Sequence, residues 1–176
     1  MRVRDHIALS TTGAALARPR LGNRALGFWA GSVLIDADHY LWFCLRERSW
    51  KPTAAMRFFN EANPPQHRAT RLFHGPLAPL ALILLGLRRR ALLWVGLGML
   101  AHIALDLQHE TRMDKARAAA LVRDGFTCQV CGARAPDVGT HLRGQPWLLP
   151  SYEADNLIAL CELCHELAHA DGGRAG

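Results

Sequence analysis

The stretch "LCELCHELAHA", residues 160–170, decides how this chain is read. It holds Cys161-x-x-Cys164, half of a zinc knuckle, run directly into His165-Glu166-Leu167-Ala168-His169, the H-E-x-x-H pattern of zinc peptidases. The two patterns assign different chemistry to the same residues. A peptidase needs a third ligand beyond the second histidine and a Glu166 base facing a substrate cleft. No downstream ligand is expected in the seven residues that follow His169. A cysteine pair running straight into the motif suits a knuckle better.

A second pair, Cys128-x-x-Cys131, lies about thirty residues earlier. Two such turns offer four thiolates, and thiolates bind zinc tetrahedrally at about 2.3 Å. The pattern reads as a metal site in a reducing compartment, not as a disulfide framework. A segment of about 60 residues has little core of its own, so a metal staple supplies what burial cannot. Around the cysteines, "HETRMDKARAAALVRDG" (109–125) predicts an amphipathic helix ending at Gly125. "FTCQVCGA" (126–133) predicts a strand, a knuckle turn and a glycine. A loop-rich stretch with one short strand near His141 follows, and "NLIALCELCHELAHA" (156–170) predicts a closing helix. His109, and Cys44 in an apolar run further up, are read as structural.

Three histidines and an asparagine sit on this frame. His165 opens the helix held by the knuckle, and His169 lies one turn later on the same face. His141 falls between the knuckles and Asn156 just before the helix. Taken in order, "RAAALVRDGFTCQVCG" (117–132), "THLRG" (140–144) and "DNLIALCELCHELAH" (155–169) resemble the HNH endonuclease family, over roughly residues 112–170. The resemblance implies a β-hairpin and a helix around one catalytic metal. It implies that His141 is the general base that deprotonates the attacking water. It further implies that Asn156 orients the loop and base, and that His165 binds the catalytic ion, Mg²⁺, Mn²⁺, Ni²⁺ or Zn²⁺. Cys128, Cys131, Cys161 and Cys164 match the structural zinc ligands of a large subset of the family. One departure stands out: Thr140 occupies the place where the family has Asp or His as a second metal ligand. His169 is expected to compensate, as a second histidine one turn along the helix does in colicin-type nucleases.

The charge is unevenly spread. Residues 1–107 hold 14 Lys+Arg against 6 Asp+Glu, a balance of +8, and residues 108–176 hold 7 against 9, a balance of −2. An acidic balance argues against tight independent DNA binding, since phosphate contacts dominate affinity. Arg117, Arg123, Arg134 and Arg143 are the cations available for backbone contacts. The basic excess sits in the apolar half, as expected of arginines that flank membrane segments or face anionic lipid; a nucleic-acid groove is the other arrangement it fits. "ALGFWAGSVLIDADHYLWFCL" (25–45), "GPLAPLALILLGL" (75–87) and "ALLWVGLGMLAHIALDL" (91–107) are helical in length and composition. Each is short or interrupted for a spanning helix of roughly 20 apolar residues. Short spans, re-entrant helices and buried helices of a soluble bundle all remain open. "FNEANPPQHRATR" (59–71) is a polar connection with a Pro-Pro stop, and no secretory signal is expected at the N-terminus.

The apolar half carries its own polar cluster. "LIDADHYLWF" places Asp36, Asp38 and His39 in an apolar run, where charge is costly unless paired or metal-bound. His67 and His74 follow, then His102 and Asp106 at i and i+4, with His6 ahead of them all. Carboxylates and histidines on several apolar helices suit a divalent metal in a bundle. A helix-surface pair and a turn cap would explain the same residues without any metal. The set His6, "DADH", "HR" with a later His, and "H…D" resembles the inner-membrane-associated metal-dependent hydrolase family over roughly residues 3–107. Ile35 stands where that family has proline, and His67 lies further from His74 than its spacing suggests.

The expected architecture is therefore a mainly α N-terminal helical region (1–107) and a small α+β, zinc-stapled ββα-metal module (108–176). The expected function is metal-dependent hydrolysis of DNA phosphodiesters, with the chain at a membrane and the HNH-like module on the cytoplasmic side, or the whole chain in the cytoplasm. The alternatives are a membrane-bound hydrolase with a non-catalytic zinc module, and a zinc module that only binds or folds.

Overall fold

A computed structural model describes residues 3–60, 73–134, 137–144 and 151–171. The chain is mostly helical, with one two-stranded antiparallel sheet among the described residues. It separates into two compact units, Met1–Leu107 and Gln108–Gly176.

Unit 1 is built from α1 (Val3–Leu21), α2 (Arg24–Leu34), α3 (Ala37–Glu47), α4 (Pro52–Asn60), α5 (Leu77–Gly86) and the first part of α6 (Arg90–Arg123). The apolar run 25–45, expected as one helix, is broken at Ile35 and Asp36 into α2 and α3. Asp36 occupies the N-cap position of α3 but makes no side-chain cap bond; its carboxylate is turned to histidines instead. Arg48, at φ 50°, ends α3 in the left-handed conformation. Proline at the first position of α4 costs no helix hydrogen bond, because that N–H is unpaired anyway. Phe43 and Cys44 of α3 pack with Ala55, Phe58 and Phe59 of α4 in a small aromatic core, so Cys44 is buried.

Helices α2 and α6 cross at backbone contact. A Cβ at Gly31 would run into the Val95 carbonyl, and one at Gly98 into the Phe28 carbonyl. This close crossing sets the Ser32 carbonyl 2.8 Å from His102 Nδ1, one turn past Gly98. Gly98→Val is therefore expected to push α2 and α6 apart, at a cost of about 1–3 kcal/mol or more, read as a fall in the melting temperature.

Helix α6 is continuous from Arg90 to Arg123. The third apolar stretch and the amphipathic helix after it, expected as separate elements, join because no glycine or proline lies between them. Gly125, at φ +60°, follows the helix end. In unit 2, Met113, Ala116 and Ala120 form a stripe on α6 that packs on Leu157, Leu142, Tyr152 and Ala154. Strands β1 (Gly139–Leu142) and β2 (Leu157–Leu160) pair with His141 opposite Ile158 and Leu142 opposite Leu157. Helix α7 (Glu162–Asp171) contacts both strands.

Two expectations are corrected here. Residues 157–160 are a strand, not the first turn of the closing helix: Leu157, Ala159 and Leu160 are buried, and the backbone finds its partners in β1. The segment 126–133 is a knuckle of turns with no strand; one backbone hydrogen bond, from Gln129 N to Ala159 O, ties it to β2.

Asp124 staples this unit. Its Oδ2 accepts from Ala159 N at 2.9 Å and from Arg123 Nη2 at 2.8 Å. Arg123 also donates to the carbonyls of Ala154 and Leu157, both at 2.8 Å. The Arg123 guanidinium holds the Asp124 carboxyl below its ordinary range. A lowered carboxyl contributes stability that is complete above its ordinary range and is lost as pH falls through the lowered value. Asp124→Ala leaves the Ala159 N–H without this acceptor and is expected to cost about 1–3 kcal/mol. The measurement is urea denaturation at neutral pH, with the gap to the parent protein closing in acid.

Candidate functional site

In unit 2 the sheet, the knuckle and α7 bring two groups of donors together. Each of the four cysteines 128, 131, 161 and 164 can offer a sulfur within 4.8 Å of the others. Cys131 Sγ and Cys161 Sγ are 3.7 Å apart. Tetrahedral thiolates on zinc, with bonds of about 2.3 Å, stand about 3.8 Å from one another, so the cluster fits a zinc ion. Gly132, at φ +74°, lets the chain turn behind Cys131, and the amide of Gly132 bonds to the Cys128 carbonyl. Amide hydrogen bonds, from Cys131 first, bring the Cys128 thiol down to about 6. The Cys164 thiol, hydrogen-bonded first to Cys161, is pushed up to about 12. Adjacent sulfurs cannot all ionise without a cation between them.

His141, His165 and His169 form the second group, with ligand-capable nitrogens within 4.8 Å of one another. Their ring centroids are 5.2 Å (His141–His165), 4.8 Å (His141–His169) and 4.6 Å (His165–His169) apart. Helical spacing places His165 and His169 on one face of α7, and strand alternation turns His141 toward them. The same alternation puts Thr140 on the other face of β1, with Leu142 and the α6 core. Burial, and then the charges of His169 and His165, lower the His141 pKa and favour a neutral ring. Asn156 clamps the end of the hairpin: Nδ2 donates to Gly144 O at 2.7 Å and Oδ1 accepts from Gly144 N at 3.2 Å. Its backbone carbonyl accepts from Arg143 N at 2.8 Å.

Of the arginines, Arg123 is spent on Asp124 and backbone carbonyls. Arg117 bonds to Asp114 at 3.2 Å and Arg134 to Thr127 Oγ1 at 3.2 Å. Arg117, Arg134 and Arg143 are exposed. His109 bonds to the Tyr152 hydroxyl at 2.9 Å.

Unit 1 assembles a larger cluster. His6 comes from α1, Asp36 from the α2–α3 turn, Asp38 and His39 from the start of α3, His74 from the bend before α5, and His102 and Asp106 from α6. These seven residues form three overlapping triads: His6, His102 and Asp106; Asp36, His74 and His102; Asp38, His39 and His74. His67 lies outside the described residues. Asp36 meets a histidine, with Oδ1 3.2 Å from His74 Nε2, while Asp38 Oδ1 lies 2.8 Å from His39 Nδ1 and the Asp38 carboxylate also accepts from the backbone amides of His39 and Phe73. An apolar cleft lined by Tyr40, Pro52, Ala55, Met56 and Phe59 opens onto Asp36 and His39. The Ser32 carbonyl, which orients His102, has no sequence signal, because any residue supplies a carbonyl.

No protein-family model matches the chain, and comparison with curated proteins and with solved structures returned no match.

Proposed function

We propose that the chain is a metal-dependent endonuclease of the HNH type that hydrolyses phosphodiester bonds in DNA. The observation that carries this reading is the convergence of His141, from a β-hairpin, with His165 and His169, from the helix that follows it, beside a four-cysteine zinc cluster. His165 and His169 would hold a divalent ion, which when bound neutralises charge on the scissile phosphate and the leaving oxygen. His141 is the general base: a neutral imidazole in reach of that ion takes the proton of the attacking water. Asn156 fixes the segment that carries His141 through its two bonds to Gly144. Arg117, Arg134 and Arg143 are left to meet phosphates. The four cysteines would hold the structural zinc as thiolates, and cysteines outside disulfides suit the reducing, cytoplasmic side. The test is nicking of supercoiled plasmid by the full chain with Mg²⁺, Mn²⁺ or Ni²⁺ added in turn. Nicking is expected with at least one of these ions and is abolished when EDTA is added.

The seven-residue cluster of unit 1 favours a second reading, a metal-dependent hydrolase acting on a substrate with an apolar group that enters the cleft beside Asp36 and His39. A membrane location would suit such a substrate. Among the described residues α6 alone is long and apolar enough to cross a bilayer, by length and composition, and Leu77, Leu84 and Leu87 in and just after α5 are well exposed.

A further inference from the structure

The polar cluster of unit 1 contains more donors than one ion can use. Ligands on one ion, with bonds of about 2.1 Å, lie within roughly 4.2 Å of each other. His6 and Asp106 share a ligand group with His102, and Asp38 and His39 share one with His74, but among the described residues no group joins the first pair to the second. Each triad is two histidines and one aspartate. Between them stands Asp36, whose Oδ1 is 3.6 Å from His102 Nε2, 3.2 Å from His74 Nε2 and 3.9 Å from His39 Nδ1. That oxygen therefore faces one ligand nitrogen of each triad, His102 Nε2 and His39 Nδ1, while His74 meets it through Nε2 and turns Nδ1 toward Asp38 Oδ2.

The histidine nitrogens point to cations and not merely to ion pairs. His102 is fully buried. Its Nδ1 meets the Ser32 carbonyl at 2.8 Å, which can only accept, so Nδ1 carries the proton. This is the outer-shell bond that typically fixes a metal-binding histidine. In a neutral ring, Nε2 then presents a lone pair to Asp106 Oδ2 at 3.3 Å and Asp36 Oδ1 at 3.6 Å, and it has no hydrogen-bond partner. Three acceptors facing one another repel unless a cation lies between them. His74 Nδ1 is likewise buried without a hydrogen bond, 3.8 Å from Asp38 Oδ2.

We infer that unit 1 holds a dinuclear divalent-metal centre, with His6, His102 and Asp106 on one ion, Asp38, His39 and His74 on the other, and Asp36 bridging the two. This rests on the second reading above and deepens it, because paired ions clamp both the entering and leaving oxygens of a phosphoester. The donor set of nitrogen and carboxylate oxygen suits Zn²⁺ or Mn²⁺.

The test uses the full chain carrying His165→Ala and His169→Ala, which removes the other metal-binding histidines while the cysteines keep EPR-silent zinc. The protein is saturated with Mn²⁺, and bound manganese is measured together with the EPR spectrum. Two Mn²⁺ per chain with an exchange-coupled signal are expected. His39→Ala, which leaves one triad complete, is expected to halve the manganese and return an uncoupled single-ion spectrum. One uncoupled Mn²⁺ per chain before His39 is changed would overturn the dinuclear centre and leave a single-metal hydrolase standing. No bound Mn²⁺ would overturn both, leaving a network of protonated histidines and carboxylates.

Discussion

Cys161→Ser is expected to release the zinc and unfold the β1–β2–α7 part of unit 2. Cys161 sits at the junction of β2 and α7, and its carbonyl accepts from His165 N at 2.9 Å, so its sulfur links strand, helix and knuckle. The core of this unit is small, with Met113, Ala116, Ala120 and Leu157 as its buried centre. A structural zinc contributes apparent binding energy of about 10 kcal/mol or more, as large as the whole stability of an ordinary domain, about 5–15 kcal/mol. Serine replaces a thiolate with a hydroxyl that does not ionise at neutral pH. The expected result is loss of stoichiometric zinc in elemental analysis, together with rapid proteolysis after residue 124. A chain that keeps its zinc and its protease resistance would mean that the cysteine cluster does not staple the unit.

His141→Ala is expected to reduce plasmid nicking about 10²- to 10⁴-fold, the range associated with one general base, while zinc content and melting temperature stay near those of the parent. The basis is position: His141 stands on the sheet face that meets α7, 5.2 Å from His165 and 4.8 Å from His169 by ring centroid, and apart from the α6 core. Metal affinity separates two roles. A base leaves Mn²⁺ affinity unchanged when removed, whereas a third ligand takes affinity with it. Unchanged affinity with lost nicking is the expected pair of results. Nicking that survives would remove His141 from the chemistry.

Much of this arrangement is visible in the spacing of residues. The two C-x-x-C pairs foretell one sulfur cluster because a knuckle turn fixes each pair locally and only the long-range pairing needs the fold. His165 and His169 are one helical turn apart, and that periodicity places them together whatever surrounds them. The strand at Leu157–Leu160 escapes a local reading: Leu-Ile-Ala-Leu runs into a helical stretch, and only the backbone of β1, fifteen or more residues earlier, makes it extended. The unit 1 cluster shows the opposite case. His6 and Asp106 are a hundred residues apart yet in hydrogen-bond contact at 2.8 Å, and their residue types mark them, since polar groups in an apolar run need partners. What no spacing could reveal is the close crossing of Gly31 and Gly98 and the Ser32 carbonyl that orients His102. Likewise Arg123, a cation by composition, gives its hydrogen bonds to Asp124, Asp155 and the carbonyls of Ala154 and Leu157.

The most direct test of the proposed chemistry is a metal titration of plasmid nicking, comparing the full zinc-loaded chain with its His165→Ala/His169→Ala variant purified in parallel. Nicking that rises with added Mn²⁺ in the parent and is absent from the variant at every concentration is the expected result. Equal nicking by both proteins, or none from a folded parent with zinc bound and every divalent ion tried, would contradict the account.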